Sequence, residues 1–150
     1  MFGKLLKTEN DAAALVLRLG LGVVMFPHGA QKVLGWFGGY GLTGTWGFMT
    51  GQMHIPAVFA ALAIIAEFAG SLGLIVGLLG RVAAFGIGVE MAVAAFLGGH
   101  VANGFFMNWS GHQAGEGFEY HILVVVIALA VMIKGSGALS LDRLLSSRSR

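Results

Sequence analysis

The sequence has no cysteine and few charged residues, which make up 11% of its 150 residues. Without cysteine the chain forms no disulfide, carries no dithiol redox centre and supplies no thiolate to an iron–sulfur cluster. The scarcity of charge, the 57% of hydrophobic residues and a mean hydropathy of +0.83 exclude an ordinary soluble domain. The sequence therefore predicts a membrane protein.

Four apolar runs predict four transmembrane helices, because roughly 20 helical residues cross about 30 Å of hydrocarbon. With their polar ends included, the predicted spans cover residues 10–30, 55–79, 82–99 and 118–139. The stretch after Lys4 and Lys7 could also be a signal peptide, but Arg18 interrupts it and no small-residue cleavage site follows. We expect one all-α domain over residues 1–150, a four-helix bundle with two outer loops rich in glycine and aromatic residues.

Basic residues predict the orientation of this bundle. With four spans, one side of the membrane holds only Lys32, and the other side holds both termini and the remaining basic side chains outside the apolar runs: Lys4, Lys7, Arg81, Lys134, Arg143, Arg148 and Arg150. The positive-inside rule then places both termini in the cytoplasm.

Three ionisable residues, Arg18, Glu67 and Glu90, each lie inside an apolar run. Counted at 1.5 Å per residue from the predicted outer ends of the spans, all three lie about 15–18 Å deep. We expect them to form one cluster near the middle of the membrane, with net charge minus one unless one glutamate keeps its proton. Such a cluster either fixes which helices meet, or it relays protons or binds a polar ligand head.

The five histidines all lie toward the predicted outer side. His100, His112 and Glu116 are candidate metal ligands, but their spacing matches no standard motif. Glu119 and His121 are two positions apart and diverge by about 200° on a helix, so they cannot chelate one ion together. The glycines of the first outer loop match neither a P-loop nor a dinucleotide-binding fingerprint.

Five short segments, taken in order along the chain, resemble the DoxX family. They are His28-Gly29-Ala30-Gln31-Lys32, the run from Gly35 to Leu42, Glu67 in its Ala- and Gly-rich span, Asn103-Gly104-Phe105-Phe106 and Gly117-Phe118-Glu119-Tyr120-His121. The resemblance implies a four-helix protein of a bacterial or archaeal inner membrane. The family takes its name from a subunit associated with thiosulfate:quinone oxidoreductase and terminal quinol oxidase.

On this resemblance we expect a small membrane subunit that binds a quinone or anchors a redox partner. His28, Lys32, Glu119 and His121 would supply the polar end of a quinone site, and Trp36 and Phe37 would form its walls. Glu67 and Glu90 would conduct protons. The chain carries no obvious electron carrier, so it would be at most a non-autonomous part of an oxidoreductase.

Two other functions fit the same residues. A transporter of protons or small molecules would also place ionisable groups at mid-depth, and a membrane scaffold would use its glycine-lined faces to hold a partner. The expected partners are the lipid membrane, a redox protein and further copies of this chain. No nucleic-acid partner is expected.

Overall fold

In a computed structural model that describes residues 2–148, the chain is helical and contains no strand over that range. The α-helices are α1 (Phe2–Leu6), α2 (Ala12–Leu34), α3 (Gly41–Gly47), α4 (Ala57–Val76), α5 (Gly80–Leu97), α6 (Glu119–Lys134) and α7 (Leu141–Arg148). The prediction of an all-α protein is confirmed. Arg150, which contributed to the predicted orientation, lies outside the described residues.

Within residues 2–148, α2, α4 and α5 are long and apolar enough to cross a membrane. Their outward faces carry exposed apolar side chains, among them Val23, Phe59, Ile65, Phe85 and Val89. The fourth predicted span corresponds to α6, which has 16 residues and ends at Lys134 rather than near residue 139. It ends there because Gly135 (φ 85°) and Gly137 (φ 72°) adopt positive φ angles that interrupt the helix.

The four long helices pack in a ring, in which α2 and α5 each contact both α4 and α6. The buried core between them consists of Leu21, Met25, Leu74, Ala84, Ile87, Met91, Val124, Ala128 and Val131. The inward stripes of the helices also carry buried polar residues, among them Arg18, Glu67 and His121. These stripes position the site described below.

Glycines set the close approach of α2 to α4. A Cβ added at Gly29 would lie 2.6 Å from the Cα of Phe68 and 2.8 Å from the carbonyl carbon of Glu67. A Cβ at Gly22 would lie 3.0 Å from the Cβ of Leu74. Since Gly22 and Gly29 are seven positions apart, they lie on one face, and the contact continues along two turns of both helices.

A seam of small residues on α4, formed by Ala66, Gly70 and Gly73, contacts α5. Gly73 lies against Ala83, and Gly86 of α5 lies against Ala66. The seam therefore leaves Glu67, which borders it, at the meeting point of α2, α4 and α5.

The carboxylate of Asp11 caps α2 and ties its start to the end of α6. It accepts hydrogen bonds from the backbone N–H groups of Ala13 (2.8 Å) and Ala14 (3.1 Å), and from the ammonium of Lys134 (2.7 Å). These hydrogen bonds hold the pKa of Asp11 below its ordinary value; the bond from Lys134 has the largest effect, followed by that from the Ala14 N–H. A carboxyl group with a lowered pKa contributes stability near neutral pH, and this contribution is lost as the pH falls through its titration range.

We expect Gly29→Ala to destabilise the protein, because its new Cβ would collide with the backbone of α4. Overpacking of this kind typically costs about 1–3 kcal/mol. Gly20→Ala is the matched control, because that position on the same helix has nothing within 4 Å of an added Cβ. Thermal unfolding in detergent compares the two variants, and equal melting temperatures would contradict the tight α2–α4 contact.

Candidate functional site

One stripe of α2 carries Arg18, Met25 and Lys32 at intervals of seven residues. The stripe faces the interior: Arg18 and Met25 are fully buried. The two cations are fourteen positions apart, and therefore about 21 Å apart along the helix axis. Each cation forms a polar centre of its own.

The first centre is the cluster of Lys32, Glu67 and Glu90, one residue each from α2, α4 and α5. The ammonium of Lys32 forms an ion pair with Oε2 of Glu67. The side chain of Lys32 is 29% exposed, whereas that of Glu67 is 4% exposed. Lys32 therefore forms the accessible end of the cluster, and Glu67 lies behind it.

Glu90 completes this cluster from α5. Its charged neighbours are Glu67 and Lys32, and its Oε2 atom is buried without a hydrogen-bond partner. Two carboxyl groups thus share one ammonium, so the cluster balances its charge only when one carboxyl group holds a proton. An orphaned buried oxygen of this kind is costly unless a proton, a water or a ligand satisfies it.

Tyr120 of α6 lies on the fourth side of the cluster. Its hydroxyl group is 3.9 Å from the sulfur of Met25, and it lies within electrostatic range of both Glu67 and Glu90. A phenolic O–H can donate to a carboxylate or to a carbonyl-bearing ligand. The cluster therefore combines an ammonium, two carboxyl groups and a hydroxyl group from four helices.

Arg18 occupies the second centre, and its predicted meeting with Glu67 and Glu90 is wrong. Its guanidinium donates to backbone carbonyls: Nε to Ser136 (2.8 Å), Nη1 to Leu74 and to Ile75 (2.8 Å), and Nη2 to Ala138 (3.4 Å) and Leu139 (3.2 Å). The depth count failed because α2 extends to Leu34. Since α2 begins at Ala12, Arg18 lies only about 9 Å from the start of the helix and far from its other end.

Asp142 balances the charge of Arg18 at this centre. Its carboxylate accepts hydrogen bonds from the N–H groups of Leu79 (2.7 Å) and Gly80 (2.9 Å), which begin α5, and from the hydroxyl group of Ser136 (2.5 Å). We call Arg18, Ser136 and Asp142 the Arg18 clamp. The clamp satisfies the last carbonyls of α4 and the N–H groups at the start of α5, and so holds the turn between these helices.

An aromatic row runs beside the Lys32–Glu67 pair. Phe68, next to Glu67, stacks on Phe26 with ring centroids 6.2 Å apart. Phe26 meets Trp36 at 6.5 Å, and Trp36 meets Phe37 at 6.3 Å, both edge to face. Trp36 and Phe37 are largely exposed. The row therefore forms an apolar wall that is open to the surroundings of α2 and α4.

Glu116 in the loop between α5 and α6, and Glu119 at the start of α6, accept hydrogen bonds from the backbone of that loop. Oε1 of Glu119 accepts from the N–H of Met107 (2.9 Å), and Oε2 of Glu116 accepts from the N–H of Asn108 (2.6 Å). His100 bonds through Nδ1 to the carbonyl of Glu116 (3.0 Å), and its ring lies 4.4 Å from that of buried His121.

The structure does not assemble the predicted metal ligands. His112 is exposed, and within residues 2–148 no three His, Asp or Glu side chains come together to hold a metal ion. Of the residues predicted for the polar end of a quinone site, His28 is exposed on α2. Glu119 has the loop partner just described. The ring of His121 packs on that of His100, while its buried Nδ1 has no hydrogen-bond partner, and only Lys32 belongs to the cluster.

Sequence reasoning missed several residues that the structure places at these centres. Tyr120 was visible only as part of a short motif, and Phe26 and Phe68 looked like ordinary apolar residues of a span. Asp142 was the only acidic residue in a Ser- and Arg-rich tail. The seven-residue spacing of Arg18, Met25 and Lys32 was the signal that could have moved Lys32 from the outer loop to the interior stripe.

Comparison with known proteins identifies two similarities. Residues 13–100, more than half of the chain, match the family model described as DoxX. The matched range contains Arg18, Lys32, Glu67 and Glu90. The chain is also 27% identical to inner membrane protein YqjF of Escherichia coli (strain K12) over 143 residues, which cover 95% of this chain and 99% of that protein. No solved structure matches the chain.

A double-mutant cycle tests the separation of the two centres. We expect Arg18→Gln to lower the free energy of unfolding by about 3–5 kcal/mol, because it leaves Asp142 buried without its cation. Its effect should add to that of Glu67→Gln within about 0.5 kcal/mol, since the two sites share no partner. Denaturant unfolding of the wild type, both single variants and the double variant measures the coupling. A coupling energy above about 1 kcal/mol would contradict this separation and indicate that Arg18 and Glu67 interact directly.

Proposed function

Since the chain belongs to the DoxX family, we propose that this membrane protein is a subunit of a quinone-linked redox system and binds a quinone head beside Lys32. The observation that carries the proposal is the Lys32–Glu67–Glu90 cluster. A partly exposed ammonium leads there to buried carboxyl groups, one of which has an oxygen without a partner. An ionisable cluster among membrane-spanning helices is a functional site by default, because its burial is costly.

The chemistry of the cluster suits a quinone. Each quinone carbonyl needs a hydrogen-bond donor, and the ammonium of Lys32 and the hydroxyl group of Tyr120 are donors. Oxidation of a quinol releases two protons and two electrons, so a site for it needs a proton acceptor. In its ionised form Glu90 accepts one of these protons at its unpartnered oxygen, and the other leaves to water at the exposed end of the cluster beside Lys32. The electrons pass to a partner protein, because the chain has no cysteine and no obvious electron carrier of its own.

The aromatic row supports the same location. From the exposed rings of Trp36 and Phe37 the row continues through Phe26 to Phe68, which is next to Glu67 in the chain. A flat apolar ring that enters from the lipid would pack against this wall and bring its carbonyl toward Lys32. In this proposal Trp36 and Phe37 keep the role predicted from sequence. His28, Glu119 and His121 do not contribute to the site.

The placement in the membrane is part of the proposal. We propose that α6 is the fourth span, which completes a four-helix bundle, since its 16 residues are almost wholly apolar and pack between α2 and α5. The relative named as an inner membrane protein supports a bacterial inner membrane. The basic residues support cytoplasmic termini. The cluster then opens toward the outer side.

The proposed partners follow from the lack of an electron carrier. A redox protein would accept the electrons, and further copies of the chain could pack on the exposed apolar faces of the helices. A scaffold without a ligand is the competing function, because the Arg18 clamp and the glycine contacts alone would hold a rigid bundle.

Lys32 is the residue to change in a binding test. We expect purified wild-type protein in mild detergent to bind a short-chain ubiquinone, and Lys32→Gln to weaken this binding by roughly 10- to 100-fold, the loss of a hydrogen bond to a charged group. Because Lys32→Gln leaves Glu67 buried without a cation, the double variant Lys32→Gln/Glu67→Gln is measured alongside. Isothermal titration gives the affinities.

Lys7→Gln is the matched control, because it removes an exposed lysine at the opposite end of the molecule. It should bind the quinone like the wild type. A folded wild type that fails to bind ubiquinone, or a Lys32→Gln variant that binds it unchanged, would refute the quinone site and leave the scaffold as the better account.

A further inference from the structure

A groove lies at the other end of the molecule, between α1, the start of α5 and the end of α6. It is lined by Leu5, Arg81, Val82, Phe85 and Met132 and has a volume of about 290 Å³. A water molecule occupies about 30 Å³ in the liquid, so the groove has room for several carbon atoms of a ligand. Four of its five lining side chains are apolar, and the fifth, Arg81, lines the groove mainly with the carbon atoms of its stem.

Arg81 has no carboxylate partner among the described residues, where the ion pairs join Lys32 to Glu67 and Lys134 to Asp11. Its Nη1 donates to the carbonyls of Met132 and Ile133 (2.8 Å), and its Nη2 to that of Lys7 (3.2 Å). A guanidinium has five N–H donors, so two remain. One of them, on Nε, is buried without an acceptor.

We propose that this groove binds an anionic phospholipid. The phosphate would accept a hydrogen bond from the remaining Nη2–H of Arg81, since Nε is enclosed by the protein. Arg81 is the second residue of α5 and therefore lies where that span ends. One acyl chain would follow the exposed side chains of Val82 and Phe85 along the outside of the bundle. Basic pockets between transmembrane helices bind anionic head groups in this way.

The surrounding charges favour an anion. The exposed residue Lys7 follows α1 and lends its carbonyl to Arg81. The nearby carboxylates of Asp11 and Asp142 are occupied by Lys134 and by the start of α5. Glu9 is exposed and lies close to Lys134. A free phosphate ion would satisfy Arg81 but would leave the apolar wall open, so the groove selects an amphiphile.

Lipid binding to the delipidated full chain tests the proposal. Native mass spectrometry in mild detergent would compare dioleoyl phosphatidylglycerol with dioleoyl phosphatidylcholine. We expect a one-to-one complex that prefers the anionic lipid by about fivefold or more, the worth of one cation near an anionic surface. Arg81→Gln should abolish the preference. Val82→Trp should weaken binding of both lipids, because the indole fills the groove while Arg81 remains.

Val82→Trp keeps the test valid if Arg81→Gln fails to fold, since Arg81 also holds the end of α6. Arg143→Gln is the matched control, because it removes an exposed arginine at the same end of the molecule, and it should retain the full preference. Glycerol 3-phosphate should not compete. The proposal is overturned if folded Arg81→Gln keeps the preference, if Val82→Trp binds both lipids unchanged, if Arg143→Gln loses the preference equally, or if glycerol 3-phosphate displaces the lipid.

Discussion

The fold depends on the hydrogen bonds of one buried guanidinium, that of Arg18. Helix α4 ends at Val76 and α5 begins at Gly80, and a turn this short leaves carbonyls and N–H groups unpaired inside the protein. Arg18 donates hydrogen bonds to the carbonyls at the end of α4, and Asp142 accepts hydrogen bonds from the N–H groups of Leu79 and Gly80. Through Ser136, which contacts both, the segment after α6 is held against the same turn.

The clamp also stabilises backbone that is otherwise unfavourable. Leu79 (φ 51°) and Leu139 (φ 47°) are left-handed, a conformation that costs a non-glycine residue roughly 1–2 kcal/mol. The N–H of Leu79 donates to Asp142, and the carbonyl of Leu139 accepts from Arg18. Because this end is held so firmly, the register of α2 against α4 is set there. The close contacts of Gly22 and Gly29 with α4 keep the same register along the helices as far as Lys32 and Glu67.

The molecule therefore separates its charges by role. The charges of Arg18 and Asp142 are saturated by backbone partners and by Ser136, so this pair does little beyond holding the helices together. In the other cluster two carboxyl groups share one accessible ammonium, and an oxygen remains without a partner. Incomplete satisfaction is costly in a buried site, and for this reason the Lys32 cluster, rather than Arg18, is where proton exchange or ligand binding is expected.

The sequence by itself determined the all-α class, the apolar segments that form α2, α4, α5 and α6, and the burial of Glu67, because hydropathy and the helical period are local properties. It could not determine which cation joins the glutamates. That choice depends on where α2 ends and on its register against α4, both of which follow from the close contact at Gly29 and the carbonyls that Arg18 finds at the end of α4. These contacts join residues far apart in the chain, so only the tertiary structure decided that Lys32 meets Glu67 while Arg18 holds the turn.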